Sequence, residues 1–191
     1  MFTYPLYPLP FTLLLHLHPM TKKIHAVFAG TFDPIHYGHL DLITRGAHLF
    51  EELTVGVYDH RIPIKKLIFS IEDRVQMIEE VVQHLPNVKV SRFTGLLVDF
   101  ADHIGATVIV RGMRVFSDFE AEFRSAMANR RLRPEIETIN FITQEDHTFL
   151  SSTTLREIAS LGGDVSGMVP PAVEKALYQF YKEDRDWYKS R

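Results

Sequence analysis

The chain has 191 residues, 46% of them hydrophobic and 24% charged, which suits one globular domain with a sizeable core. Its net charge of −3, with histidines neutral, provides no basic field for nucleic acid, and the absence of cysteine excludes disulfides and thiolate chemistry. A metal site would have to be built from His, Asp or Glu.

The first nineteen residues, MFTYPLYPLPFTLLLHLHP, hold four prolines and no charged side chain. They lack the basic n-region and small-residue cleavage site of a signal peptide, and the apolar stretch is too short and too proline-broken to span a bilayer. The composition changes at Met20, where MTKKIHAVFAG reads like a natural protein start. Residues 1–19 are therefore expected to be an extension or a misassigned start, disordered or loosely docked. A membrane-touching anchor is the alternative. Residues 20–191 form a single expected domain, with no repeat and no internal linker.

From Ile24 onward strands and helices alternate. IHAVFAG is a short apolar run and predicts a buried strand. GHLDLITRGAHLF places Leu40, Ile43, Ala47 and Phe50 at helical spacing, and LTVGVY is strand-like. SIEDRVQMIEEVVQHL predicts a helix opened by a capping box of Ser70 and Asp73, with a stripe of Met77, Ile78, Val81, Val82 and Leu85. NVKVSRF is a third strand, GLLVDFADHIG a helix stopped by Gly105, and ATVIVRG the most apolar strand. SDFEAEFRSAMANRRL predicts a helix with a second box of Ser117 and Glu120, and IETINFIT a fifth strand. STTLREIASLGG and PPAVEKALYQFYKE are two closing helices, the second opened by prolines. This alternation predicts an α/β fold, a mainly parallel five-stranded sheet with helices on both faces and right-handed crossovers.

Ligands of such sheets bind outside the carboxyl ends of the strands, which selects GTFDPIHYGH, YDHRIPIKK, TGLL, RGMR and TQEDHTFLSST. In the first of these, Gly30 and Thr31 end a strand, and Gly38 and His39 begin a helix. Free backbone N–H groups and the helix dipole attract anions there. Gly38 leaves the backbone bare for close approach, so His-x-Gly-His reads as a phosphate cradle with two imidazole donors. No P-loop lysine follows and G-x-G-x-x-G is absent. Two alternatives stay open at this point: zinc held by Asp33, His36 and His39, and a polar turn with incidental histidines. At the fourth strand's end, Arg111 can fork onto a phosphate or simply cap the strand. Ser151, Ser152 and Thr153 precede a helix; capping accounts for one hydroxyl, not three.

GTFDPIHYGH resembles the signature of the HxGH nucleotidyltransferases. GTFDPIHYGHLDLITRG, FSIEDRVQMI, VIVRGMRVFSDFEAEF, MANRRLRPEIETI, FLSSTTLREIA and GGDVSGMVPPAVEKAL together resemble the bacterial phosphopantetheine adenylyltransferase family over roughly residues 23–180. The resemblance implies a Rossmann-like fold and a cytoplasmic homohexamer. It implies reversible conversion of ATP and 4′-phosphopantetheine into dephospho-coenzyme A and pyrophosphate, with Mg2+ as the usual cofactor and neither nucleic acid nor membrane as a partner. It makes His39 the catalytic residue, acting on the α-phosphate. Thr31, Phe32, His39, Gly112, Met113, Arg114, Glu122, His147, Thr148, Phe149, Leu150, Ser151, Ser152 and Thr153 fall at ATP-contacting positions. Thr31, Lys65, Leu97 and Arg111 fall at acceptor-contacting ones.

Two features depart from the family pattern. His36 stands where members often have another residue. The loop YDHRIPIKKLIF looks about two residues longer than usual, so Lys65 is placed by counting back from FSIEDR, with Lys66 adjacent. Two other functions remain in view: another HxGH transferase, such as one acting on nicotinamide mononucleotide, and a nucleotide sensor without turnover. The helix DFEAEF after RGMR argues against the first, and an intact His39, Arg111 and Lys65 against the second.

Overall fold

A computed structural model describes residues 23–60 and 67–189; for residue 117 and residues 183–189 it describes the backbone alone. The expected extension over residues 1–19, Lys65 and Lys66 lie outside the described residues.

Five parallel strands are ordered β3-β2-β1-β4-β5: β1 (His25–Gly30), β2 (Glu52–Tyr58), β3 (Val88–Phe93), β4 (Val108–Met113) and β5 (Glu137–Ile142). The helices are α1 (Tyr37–Leu49), α2 (Ile71–Val82), α3 (Leu97–His103), α4 (Phe116–Leu132), α5 (Ser152–Ser160) and α6 (Pro171–Lys189), with a short 3-10 turn at Glu145–His147. Strand pleating sends alternate residues to opposite faces. Ala26 and Phe28 of β1 and Leu53, Val55 and Val57 of β2 join α1, α2, α5 and α6 in the larger core. Val27 and Ala29 face the other way, onto Phe93, Val98, Ala101 and Ile109, under α3. The sheet is thus covered on both faces, which its apolar strands require.

β1 pairs with β2 on one side and β4 on the other, and the chain leaves these two strands in opposite lateral directions. This is the topological switch point, where a crevice opens at the strands' carboxyl ends.

The helix starts explain themselves locally, with one correction. Ser70 accepts from the Asp73 N–H at 3.0 Å and Asp73 from the Ser70 N–H at 3.3 Å, so the first box forms as read. The second does not: α4 begins at Phe116 with Val115 at the cap, which puts Ser117 inside the helix. Valine has no acceptor to offer, and the carboxylate of Asp118 takes the Arg114 and Val115 N–H groups instead.

The buried face of α2 consists of Arg74, Ile78 and Val82. Arg74 is 2% exposed and, among the described residues, meets no carboxylate at hydrogen-bonding distance. Its guanidinium donates to three carbonyls, those of Thr31, Tyr58 (3.0 Å) and Ser70 (3.3 Å). These belong to the end of β1, the end of β2 and the cap of α2, so a single side chain ties together the rim of the crevice. Arg74→Met fills the space and removes all three donors. It is expected to lower unfolding free energy in urea by ~2 kcal/mol or more, since the Ser70 carbonyl keeps the backbone N–H of residue 74 while the Thr31 and Tyr58 carbonyls lose a donor, at about 1–3 kcal/mol each. A loss below ~1 kcal/mol would show that water replaces the guanidinium.

Candidate active site

The carboxyl ends of β1 and β4 open into a cavity of about 400 Å³. The loop from Thr31 to His36 forms its floor. Phe32 there adopts a left-handed backbone, φ 50°, a conformation seldom taken by a bulky residue and held only where surroundings over-determine it. Its buried ring lies edge-on to Phe28 at 5.6 Å and to His39 at 4.9 Å. The carboxylate of Asp33, 1% exposed, accepts from the Ile68 and Phe69 N–H groups at 3.1 and 3.0 Å and from Arg156 at 3.0 Å. Arg156 also donates to the Asp33 carbonyl, and the Ser152 hydroxyl to the Pro34 carbonyl at 2.8 Å. The loop is therefore bolted to α5 and to the segment before α2.

His36 caps α1: its Nδ1 accepts from the His39 N–H at 3.3 Å, which leaves its hydrogen on Nε2 when the ring is neutral. The two imidazoles stack at 3.6 Å between centroids. An added Cβ at Gly38 would stand 3.1 Å from the His36 Nδ1, so glycine is what allows the ring to fold back over the turn. Gly112 is needed for a similar reason, because a Cβ there would run into Leu42.

Burial pushes His36 down to about 3, with Arg114 and His147 adding repulsion. Burial also holds His39 well below its ordinary value, with His36, Arg114 and Arg111 contributing. Both rings are neutral at physiological pH in the ligand-free protein. Among the described residues, the buried Nδ1 of His39 has no hydrogen-bond partner. The zinc alternative does not find its ligands together: Asp33 is committed to two N–H groups and Arg156, and His36 to the helix start. Among the described residues no group of three His, Asp or Glu could hold a metal ion.

Arg111, Arg114 and Arg156 line the cavity, as do Asp33, Asp118 and Glu122. Each arginine is paired with one carboxylate: Arg111 with Glu122 at 2.8 Å, Arg114 with Asp118 at 3.3 Å and Arg156 with Asp33 at 3.0 Å. The first turns of α1 and α5 open on the same space, at Gly38 and His39 and at Ser152 and Thr153. Two positive helix ends, three guanidinium groups and imidazole N–H groups make an anion receptor with room for more than one phosphate.

Of the residues picked from sequence, the cavity gathers Thr31, Phe32, His39, Arg111, Gly112, Arg114, Glu122, His147, Leu150, Ser151, Ser152 and Thr153. Met113, Thr148 and Phe149 lie beside that lining rather than in it, and Leu97 packs with the core under α3. Arg156, Asp118 and Leu67 line it without having been picked. Arg74 sits behind it; its cue was a charge on the apolar stripe of α2, four residues before Ile78.

The folded state excludes protons that the unfolded chain takes up below pH 6.5. Stability conferred by the neutral rings is therefore fully present above that value and declines as pH falls toward the folded value, about 3 for His36. His36→Asn retains a capping acceptor without the titration. Between pH 7.5 and 5.5 the wild type is expected to lose about 1.4 kcal/mol more than this variant in urea unfolding. Equal losses would mean that His36 is not held neutral.

The cytidylyltransferase-like family model matches residues 27–158. A phosphopantetheine adenylyltransferase of Heliobacterium modesticaldum is 49% identical over 82% of this chain and 92% of its own. One of Caldanaerobacter subterraneus is 43% identical over 83% and 98%. A solved structure from Vibrio parahaemolyticus, assigned as a nicotinate-nucleotide adenylyltransferase, superposes with a TM-score of 0.60 at 20% identity, covering 82% of this chain and 99% of that one. At that identity the likeness is one of fold.

Proposed function

The chain belongs to the cytidylyltransferase-like family and, within it, to the phosphopantetheine adenylyltransferases, and from that membership we propose that it transfers the adenylyl group of ATP to 4′-phosphopantetheine. Close likeness over most of the chain to relatives bearing that name carries the reading. The paired helix starts and arginines around one crevice support it.

A phosphate oxygen of the acceptor attacks the α-phosphorus in line. The bond from that phosphorus to its bridging oxygen breaks, and pyrophosphate leaves with the electron pair. Dephospho-coenzyme A is the other product. No covalent enzyme intermediate is needed, so the chain's work is positioning and charge stabilisation. Arg111 takes the acceptor phosphate, Thr31 stands between the two substrates, and Ser151 to Thr153 receive the β- and γ-phosphates at the start of α5. The His39 ring N–H donates to an α-phosphate oxygen as negative charge builds there. Lys65 steadies both substrates' phosphates from the loop before α2.

Mg2+ is proposed to enter with ATP. The cavity's described carboxylates are all paired with arginines, so they form no oxygen cage for it and no step is assigned to the ion. The catalytic unit is proposed to be residues 20–191, working in the cytoplasm as a homohexamer. Exposed Phe116, Phe119, Phe123 and Met127, on one stripe of α4, support self-association. No helix among the described residues is long and apolar enough to cross a membrane.

Pyrophosphate release measured with ATP and a panel of acceptors tests the activity. Release is expected with 4′-phosphopantetheine, well above that with nicotinamide mononucleotide or a small alcohol phosphate. Faster release with nicotinamide mononucleotide would replace the reading, and ATP binding without release from any acceptor would make the protein a sensor.

A further inference from the structure

Arg111 carries five N–H groups, three of them engaged. Nε donates to one oxygen of Glu122 at 2.8 Å and Nη2 to the other at 2.9 Å. Nη1 donates to the Ala29 carbonyl at 3.2 Å. Two N–H groups, one on each Nη, have no partner among the described residues, on a side chain that lines the cavity and is 33% exposed. The anchors come from separate elements, α4 and β1, and a two-point fork plus a third contact fixes the guanidinium plane. Glu122 is the more enclosed partner, its side chain 15% exposed, and both its oxygens already accept from Arg111.

The family resemblance gives Glu122 to the nucleotide; in the structure both of its oxygens accept from Arg111. We propose that Glu122 is a positioning residue for the acceptor subsite, orienting Arg111 so that its two remaining N–H groups meet the acceptor's phosphate. This rests on the reading of Arg111 given under the proposed function. Glu122 also places a negative charge near that phosphate, which opposes binding. Orientation is the larger effect, because a guanidinium already fixed in place loses less freedom when it forks onto an anion.

A double-mutant cycle separates the two effects. With Arg111 present, Glu122→Gln is expected to weaken binding of 4′-phosphopantetheine at least about tenfold in calorimetry, the scale of one charge-assisted hydrogen bond. ATP affinity should stay within about twofold, a change too small to represent a lost hydrogen bond. In the Arg111→Ala background only the charge effect remains, so Glu122→Gln should leave acceptor binding unchanged or slightly tighter. Equal weakening in both backgrounds, or a loss confined to ATP, overturns the proposal. Should Glu122→Gln fold poorly, Glu122→Asp keeps the charge, shortens the fork and is expected to shift acceptor binding in the same direction. Wild-type pyrophosphate release tests the activity separately. If there is none with 4′-phosphopantetheine, the same cycle is run with inorganic phosphate as the anion. Loss of phosphate binding in Glu122→Gln only when Arg111 is present still upholds the positioning role, and an additive cycle still refutes it.

Discussion

The carboxylate of Asp33 and the guanidinium of Arg156 meet under the loop that joins β1 to α1, and the cavity hangs from that contact. Asp33 also receives two backbone N–H groups from residues just before α2. Arg74 grips the same loop from beneath through the Thr31 carbonyl. A left-handed Phe32 and a histidine folded back over a glycine persist only because this network leaves the loop no alternative. A reaction that depends on positioning needs such a frame, since small misplacements of reacting groups are costly.

Charge is distributed with the same economy. Three arginines, their side chains 20 to 40% exposed, enter the cavity already matched with carboxylates, so none faces it as an unpaired charge. The imidazoles stay neutral because burial and neighbouring cations oppose a further positive charge. On the reading proposed above, an incoming phosphate reverses that local balance. The rings gain an anion to donate to, and helix dipoles and guanidinium groups gain the charge they face.

Much of this was legible in the chain. Periodicity and local capping placed strands and helices, and the rule for carboxyl ends of parallel strands pointed to the loops that now converge. His39, Arg111 and the Ser151–Thr153 start, all lining the cavity, could be singled out as candidates because their signals are local: a residue type at a strand end or helix start. The supporting network escaped because its partners are far apart in sequence. Arg156 meets Asp33 across 123 positions, and Arg74 meets Thr31 across 43. The start of α4 was misread by one turn's choice of partners. Ser117 and Glu120 have the spacing of a box, yet Asp118 captures the N–H groups of Arg114 and Val115 first. Glu122 shows the same limit from the other side, its role depending on Arg111 arriving from a different element.

The central claim is that a neutral His39, held at a helix start whose dipole and free N–H groups favour phosphate, acts chiefly on the transition state. Steady-state turnover and ATP affinity of His39→Ala test it most directly. The expected result is a folded protein that binds ATP within a few-fold of wild type while kcat falls by ~10²–10³, as for removal of one preorganised donor. A kcat near that of wild type, or a loss of ATP binding as large as the loss of turnover, would contradict the account.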